Sequence, residues 1–238
     1  MNTTAAVLQF DRVSAGYGTT TVLREVSFQV RPGQVVALLG PNGAGKTTVL
    51  RTASGIVRPT SGMVSLDGVD LGKEATHRRA ARGLCLIPEG RGIFKSLTVR
   101  ENLRLQVPAG ETRSDEAIGR ALSVFPALKD RMKDAVGHLS GGQQQMLSLA
   151  RAYVTNPRVI LLDEVSMGLA PRVADEMFQA LRILAAAGTA MLMVEQYVTR
   201  AMAMADIVVL LNKGSVSYDG PPSELDEQAV LQGYLGVE

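Results

Sequence analysis

A glycine-rich segment at residues 40–48 constrains the fold of this 238-residue chain more than any other feature. It directly follows an apolar run, Val35 to Leu39, and leads into a pattern typical of a helix that extends to about Ser54. A buried strand, a glycine-rich turn and a helix in this order form the setting of a phosphate-binding loop. The loop comprises Gly40, Pro41, Asn42, Gly43, Ala44, Gly45, Lys46, Thr47 and Thr48.

The residue types of this phosphate loop suit a nucleotide. Glycines permit backbone conformations that side chains would block, so that successive N–H groups can converge on phosphate oxygens at the positive end of a helix. Lys46 would place a cation between the outer phosphates, and Thr47 would offer its hydroxyl to Mg²⁺. A glycine-rich turn with a surface lysine is the simpler interpretation, but the flanking strand and helix favour nucleotide binding.

Composition bounds the class of protein. The chain is 46% hydrophobic and 20% charged, which is typical of a globular protein with one substantial core or two closely fused lobes. A net charge of +2 is too small to indicate a nucleic-acid partner. The single cysteine, Cys85, lies in an apolar run, which predicts a buried, inert thiol and fits a reducing cytoplasm. We find no secretory signal and no apolar run of the ~20 residues that a membrane span needs.

The order of strand and helix patterns predicts an α/β fold with an inserted lobe. Residues 1–96 and 154–238 alternate continuous apolar strands with helices, which indicates a mostly parallel sheet covered on both faces. At the start of the chain, Val7 to Phe10 and Thr21 to Val30 predict an antiparallel β-subdomain around a turn at residues 15–18. A third N-terminal strand is predicted from Met63 to Leu66. Residues 97–153 show helical patterns without a strand and are interpreted as a helical lobe within a single domain, 1–238.

Two features of the N-terminal half have more than one interpretation. Tyr17, placed by the sequence at the first turn, could stack on an adenine ring or pack against its own hairpin. Residues 77–83 predict a short basic helix whose three arginines could face an acidic partner. A solvated helix face is the favoured interpretation of that helix.

A pair of carboxylates ends a later apolar strand. Asp163 and Glu164 follow the run Val159 to Leu162, which places both at the carboxyl edge of a parallel sheet, where ligands of such sheets bind. Asp163 can hold Mg²⁺ directly or through water, and Glu164 can orient and deprotonate a water for attack on a γ-phosphate. Such a pair alone is a common way to enter a helix, but its position after a phosphate loop favours the catalytic interpretation.

A second anion-binding surface is predicted near residue 140. Ser140 is a good helix start, and the following Gly141, Gly142 and Gln143 leave backbone N–H groups open to an anion at the positive end of a helix that extends to about Val154. One nucleotide does not need two such surfaces from one chain. We therefore expect this one to face the nucleotide of another subunit.

Together these motifs resemble the ATP-binding cassette of ABC transporters, over essentially the whole chain. The resemblance implies an aromatic stacking residue at Tyr17, a Walker A loop at 40–48, a signature sequence at 139–143, and a Walker B strand that ends at Asp163 with Glu164 as the catalytic base. It also implies a D-loop at 166–170 and ATP with Mg²⁺ as cofactors. The implied activity is transport-coupled ATP hydrolysis.

Three positions depart from the commonest cassette pattern. Glu89 stands where most cassettes have a glutamine that reaches Mg²⁺ and the attacking water, Gln196 replaces the switch histidine, and Ala170 replaces the D-loop aspartate. With the residues around them and the terminal segment 234–236, these departures resemble the LivF type of cassette from branched-chain amino acid importers. Glu89 and Gln196 are therefore kept as candidate catalytic residues, and Glu89 also as a metal ligand.

The resemblance also implies partners and a place in the cell. These are a second cassette, expected to be a paralogous LivG-like subunit, two transmembrane permease subunits and, indirectly, a solute-binding protein, with no nucleic acid. The chain would lie at the cytoplasmic face of the inner membrane. A cassette of a urea or amide importer, a cassette ATPase that moves no solute, and a nucleotide-gated regulatory module stay open as alternatives.

Overall fold

The computed structural model describes residues 5–107 and 114–226, which contain ten strands and seven α-helices. The strands are β1 (Leu8–Tyr17), β2 (Thr20–Val30), β3 (Val35–Leu39), β4 (Pro59–Leu66), β5 (Val69–Asp70), β6 (Leu84–Ile87), β7 (Val159–Asp163), β8 (Ala190–Val194), β9 (Ile207–Asn212) and β10 (Ser215–Gly220). The helices are α1 (Lys46–Ser54), α2 (Thr76–Ala81), α3 (Val99–Arg104), α4 (Ser114–Val124), α5 (Gly141–Val154), α6 (Pro171–Ala186) and α7 (Val198–Met204). The predicted terminal segment 234–236 lies outside the described residues.

A six-stranded sheet in the order β10-β9-β3-β8-β7-β6 forms the centre of the molecule. Its pairs from β9 to β6 are parallel, and only β10 is antiparallel to its neighbour. Every residue of β3 and β8 is buried, because both faces of the sheet are covered. The predicted α/β fold with a mostly parallel sheet is confirmed.

The two faces of this sheet belong to different hydrophobic clusters. Val36 and Leu38 of β3 pack toward α1 and the N-terminal sheet, whereas Ala37 and Leu39 pack toward α5, α6 and α7. Alternate residues of one strand therefore serve two cores, as the period of two in a strand requires. The phosphate loop leaves the sheet between them, at the carboxyl end of β3.

The N-terminal β-subdomain is a four-stranded antiparallel sheet in the order β2-β1-β4-β5. The predicted turn at residues 15–18 is wrong, because β1 continues to Tyr17 and the turn is formed by Gly18 and Thr19. Gly16 is a strand residue, and a Cβ there would lie 2.0 Å from the Thr20 carbonyl oxygen. A glycine that indicates a turn in the sequence is thus required for close strand approach. The strand predicted from Met63 also begins earlier, at Pro59.

Helices dominate the interval predicted as a helical lobe. Its described residues form α3, α4 and α5 with two short 3-10 turns, and one isolated bridge joins Thr98 to Ala135. The N terminus of α3 is a capping box in which Thr98 and Glu101 exchange hydrogen bonds with each other's backbone. The boundaries of this lobe at residues 97 and 153 stay a prediction.

The basic helix α2 differs from the prediction at one of its arginines. Arg78 and Arg82 are exposed, as expected for a solvated face, but Arg79 is 1% exposed. Its guanidinium donates to the carbonyl oxygens of Thr52 and Ala53, both at 2.8 Å, and to that of Leu71 at 2.5 Å. Arg79 therefore joins the end of α1 to the loop before α2.

Candidate nucleotide-binding site

The phosphate loop has the backbone that its glycines predict. Gly45 is the N-cap of α1, with φ of 107°, and has no side chain with which to cap the helix. Gly40 has φ of 147°, and a Cβ there would lie 2.1 Å from the Leu211 carbonyl oxygen. Both positions therefore exclude other residues, and the positive end of α1 opens toward the loop.

Lys46 is held inside this loop. Its side chain is 7% exposed, and Nζ donates to the carbonyl oxygens of Gly40 at 2.6 Å and Pro41 at 3.1 Å. Burial lowers the pKa of Lys46, whereas the charges of Glu164 and Asp163 act in the opposite direction. These bonds hold the ammonium group near the N terminus of α1, where a phosphate oxygen could replace a carbonyl oxygen as its acceptor.

Thr47 and Asp163 meet between α1 and β7. The Thr47 hydroxyl donates to Asp163 Oδ1 at 3.1 Å. Burial raises the pKa of Asp163, and the bond from Thr47 opposes the rise. A hydroxyl beside a carboxylate is a donor set that fits Mg²⁺, which is commonly held by one or two carboxylates together with substrate phosphates.

Glu164 and Glu89 line one cleft beside this pair. The cleft has a volume of about 340 Å³, and its walls also include Gln144 and Gln145 of α5. Glu164 follows β7 with φ of 49°, and its N–H donates to the Val194 carbonyl oxygen at 2.9 Å, which joins it to the end of β8. The two carboxylates thus share a cleft with room for water, and Glu164 is the chain neighbour of Asp163.

The loop that carries Glu89 is bonded to α5. Arg91 Nη1 donates to Gln144 Oε1 at 2.7 Å, and the Ser148 hydroxyl donates to the Arg91 carbonyl oxygen at 2.6 Å. Arg151 donates to the carbonyl oxygen of Gly92. Three residues of α5 therefore hold a loop whose own Glu89 is exposed.

The glycine-rich start of α5 precedes the residues of that helix that line the cleft. Ser140 is the N-cap, and its side chain and that of Gln143 exchange hydrogen bonds with each other's backbone N–H at 3.3 and 3.1 Å. Ser140 and Gly141 are exposed and lie outside the cleft lined by Glu164. Gly142 packs against α6, where a Cβ would lie 2.4 Å from Val173 Cγ1. The predicted second anion-binding surface thus begins at exposed residues that do not line the cleft of Glu164.

Comparison with known proteins identifies the family. The profile of the ABC transporter family matches residues 23–167. The chain belongs to the ABC transporter family.

Full-length relatives support this assignment. The cassette is 36% identical over 234 residues to the high-affinity branched-chain amino acid transport ATP-binding protein BraG of Pseudomonas aeruginosa, which covers 97% of this chain and 100% of BraG. It is 34% identical to the "Probable branched-chain amino acid transport ATP-binding protein LivF" of Archaeoglobus fulgidus, and the match covers 93% of this chain and 94% of that relative. The solved ADP conformation of MJ1267, an ATP-binding cassette of an ABC transporter, matches with a TM-score of 0.86 and 25% identity and covers 98% of this chain and all of MJ1267.

The cassette is an ABC-type ATPase that binds nucleotide and works with membrane permeases. In the part of the chain that the structure describes, no helix combines the length and the apolar character needed to cross a membrane.

Two candidate residues of the cassette lie at the edges of the site. Tyr17 is 45% exposed, and its hydroxyl accepts a hydrogen bond from Arg51 Nη1 of α1 at 3.2 Å. The ring thus stands beside the helix that starts at the phosphate loop. Gln196 is exposed directly after β8. Both could reach a bound nucleotide, and neither is held in a hydrophobic core.

Sequence reasoning assigned no role to a further buried pair in the cassette. Glu195, at the end of β8, accepts hydrogen bonds from both the backbone N–H and the hydroxyl of Ser166. The available signal was a carboxylate at the end of a wholly apolar strand, the same pattern that revealed Asp163.

Proposed function

We propose that this cassette hydrolyses ATP to power the import of branched-chain amino acids, namely leucine, isoleucine and valine. The observation that carries the proposal is the full-length similarity to BraG, whose name assigns it to high-affinity branched-chain amino acid transport. Glu89, Gln196 and Ala170, the three departures from the commonest cassette pattern, also resemble the LivF type. The loop of Glu89 contacts α5 and so lies where a permease could influence the site.

In the proposed mechanism, the phosphate loop and Lys46 neutralise the charge that develops on the transferred phosphoryl group. The backbone N–H groups at the start of α1 and the ammonium group act by position rather than by covalent chemistry. Thr47 and Asp163 would hold Mg²⁺, which supplies further neutralisation when bound. Tyr17 would stack on the adenine ring.

Glu164 is the proposed general base. It lies directly after Asp163, lines a cleft large enough for water, and is fixed through its N–H to the end of β8. A carboxylate in that place can orient a water molecule toward the γ-phosphate and accept its proton. Gln196 can donate a hydrogen bond to the same phosphate but cannot exchange a proton, and Glu89 would face the metal and the water.

The second half of the site would come from another cassette. The start of α5, exposed at Ser140 and Gly141, does not line the cleft of Glu164 in its own chain, which supports a head-to-tail dimer with two ATP molecules at the interface. Because Glu89 and Gln196 replace two groups that usually sense the γ-phosphate, we infer that the partner is a paralogous LivG-like cassette. The purified chain alone should then be a feeble ATPase, and vigorous, cooperative turnover by its homodimer would contradict this part of the proposal.

Two permease subunits would dock beside the Glu89 loop. A groove of about 370 Å³ is lined by Ile56, Leu86, Pro88 and Gln106, and Ile56 is 57% exposed. Exposed apolar side chains beside a groove are typical of a protein contact. With the permease in the inner membrane, the cassette would lie at its cytoplasmic face, and a solute-binding protein would act indirectly on the other side.

Uptake of labelled solutes tests which solute the transporter carries. Deletion of the gene for this chain should abolish high-affinity uptake of labelled leucine and leave urea uptake unchanged. Restoring the wild-type gene should restore uptake, whereas a gene carrying Lys46→Ala should not. Unchanged leucine uptake together with lost urea uptake would overturn the assignment in favour of a urea or amide importer.

A further inference from the structure

A buried carboxylate lies behind the edge of the sheet that carries the site. Glu195 is 1% exposed, and Ser166, with which it pairs, is 0% exposed. The Ser166 N–H donates to Glu195 Oε1 at 3.2 Å, and the Ser166 hydroxyl donates to Glu195 Oε2 in a short hydrogen bond. Each carboxylate oxygen therefore accepts a bond from the same residue.

This pair connects the two loops that carry Glu164 and Gln196, the groups proposed above to face the γ-phosphate. Ser166 lies two residues after Glu164, in a turn closed by the Met167 N–H, which donates to the Glu164 carbonyl oxygen at 3.2 Å. Glu195 directly precedes Gln196. The bond from the Glu164 N–H to the Val194 carbonyl oxygen adds a third connection between the same loops.

A charged carboxylate at this buried position costs desolvation free energy. Burial raises the pKa of Glu195, and the charge of Glu164 adds to the rise, whereas the two bonds from Ser166 oppose it. An amide or an apolar side chain would occupy a buried position with less desolvation cost. The acid brings two acceptor oxygens, which hold both donors of Ser166 in one geometry.

We propose that Glu195 is a positioning residue for ATP hydrolysis: through Ser166 it fixes the turn that carries Glu164 relative to Gln196. The inference rests on the roles proposed above for Glu164 and Gln196. Glu195 does not touch the nucleotide, and its role requires no proton transfer. It acts because general-base catalysis depends steeply on geometry, and a misplacement of about 1 Å can cost on the order of 10²-fold in rate.

Steady-state kinetics test the proposal in the complete transporter, with the substitution equivalent to Glu164→Gln present in the other cassette so that only this site turns over. Glu195→Gln keeps the size of the side chain but offers one acceptor oxygen, and Ser166→Ala removes the hydroxyl while its backbone N–H stays. Each should lower kcat about tenfold or more and leave KM for MgATP within twofold. Ser166→Thr, which keeps the hydroxyl, should restore most of kcat. The double variant should lose no more than the worse single variant, since both remove one contact.

The controls separate positioning from stability. Glu74→Gln removes a carboxylate of an exposed ion pair with Arg82 and should leave kcat unchanged. If Glu195→Gln and Ser166→Ala lower only Tm, or raise KM at constant kcat, the positioning role is wrong. Glu164→Gln in the same assay tests the underlying function: wild-type turnover by that variant would show that the role of Glu164 itself is wrong, whatever Glu195 does.

Discussion

Burial shifts the pKa values of individual side chains in this cassette. Lys46, Asp163 and Glu195 all lie at or behind the carboxyl edge of the sheet, and burial is the largest influence on the pKa of each. In each case hydrogen bonds or opposite charges partly offset the cost. In this site, burial therefore favours the neutral form of each group, and neighbouring bonds and charges favour the charged form.

Cys85 shows the same effect without a catalytic role. Burial in β6 raises the pKa of its thiol to about 11, with Arg151 opposing the rise. Because the thiolate is the reactive form, we expect the rate of iodoacetamide labelling of the native chain to keep rising with pH until about 11. The unfolded chain should level off near the ordinary thiol pKa of about 8.5. A native labelling rate that levels off at that same pH would contradict the assigned environment of Cys85.

At the scale of elements, the two predicted anion-binding surfaces lie at two helix starts of different construction. The helix α1 begins at Gly45 without a side-chain cap, whereas α5 begins at a capping box formed by Ser140 and Gln143. The first adjoins the loop of Lys46, and the exposed Ser140 and Gly141 at the second do not line the cleft of Glu164. In the proposed dimer, the second surface would complete the site of the other cassette.

The position of α1 depends on a buried arginine of α2. Arg79→Met should lower the free energy of unfolding by about 3 kcal/mol or more, because the carbonyl groups of Thr52, Ala53 and Leu71 would lose a buried donor. Arg78→Met on the same helix is the matched control, since Arg78 is exposed, and should change stability by no more than about 0.5 kcal/mol. Urea denaturation of both variants measures the difference. Equal stabilities would show that Arg79 does not anchor α1.

Arg79 also shows where sequence reasoning stops. Apolar periodicity and glycine placement predicted the parallel sheet, the helix after Gly45 and the helix after Ser140, because those patterns depend on neighbours in the chain. The same reasoning gave a turn at Gly16 and a solvated Arg79. Neither is decided by the residue's own segment: Gly16 depends on the close approach of Thr20 in the paired strand β2, and Arg79 on the carbonyl groups of Thr52 and Ala53, more than 20 residues away. The bonds between Ser166 and Glu195 are of this long-range kind as well.

At the scale of the whole molecule, the residues of the proposed hydrolytic half-site lie on the core, and those of the proposed complementary surface lie on the helical region. Lys46, Asp163 and Glu164 come from the carboxyl ends of β3 and β7, whereas Ser140 comes from the start of α5. The bonds from Arg91, Ser148 and Arg151 join the Glu89 loop to α5. In the proposed complex, a permease that moved this loop would thereby affect both the site of Glu164 and the helix that begins at Ser140.

The turnover of a Glu164→Gln variant tests the central claim most directly. The rate is measured in the complete transporter with the equivalent substitution already present in the other cassette, so that only the site of Glu164 turns over. Glutamine keeps the shape of the side chain but cannot accept the proton, so turnover should fall about 10²- to 10⁴-fold while MgATP binding and ATP-dependent association of the cassettes are retained. ATP hydrolysis at the rate seen with Glu164 intact would contradict the account.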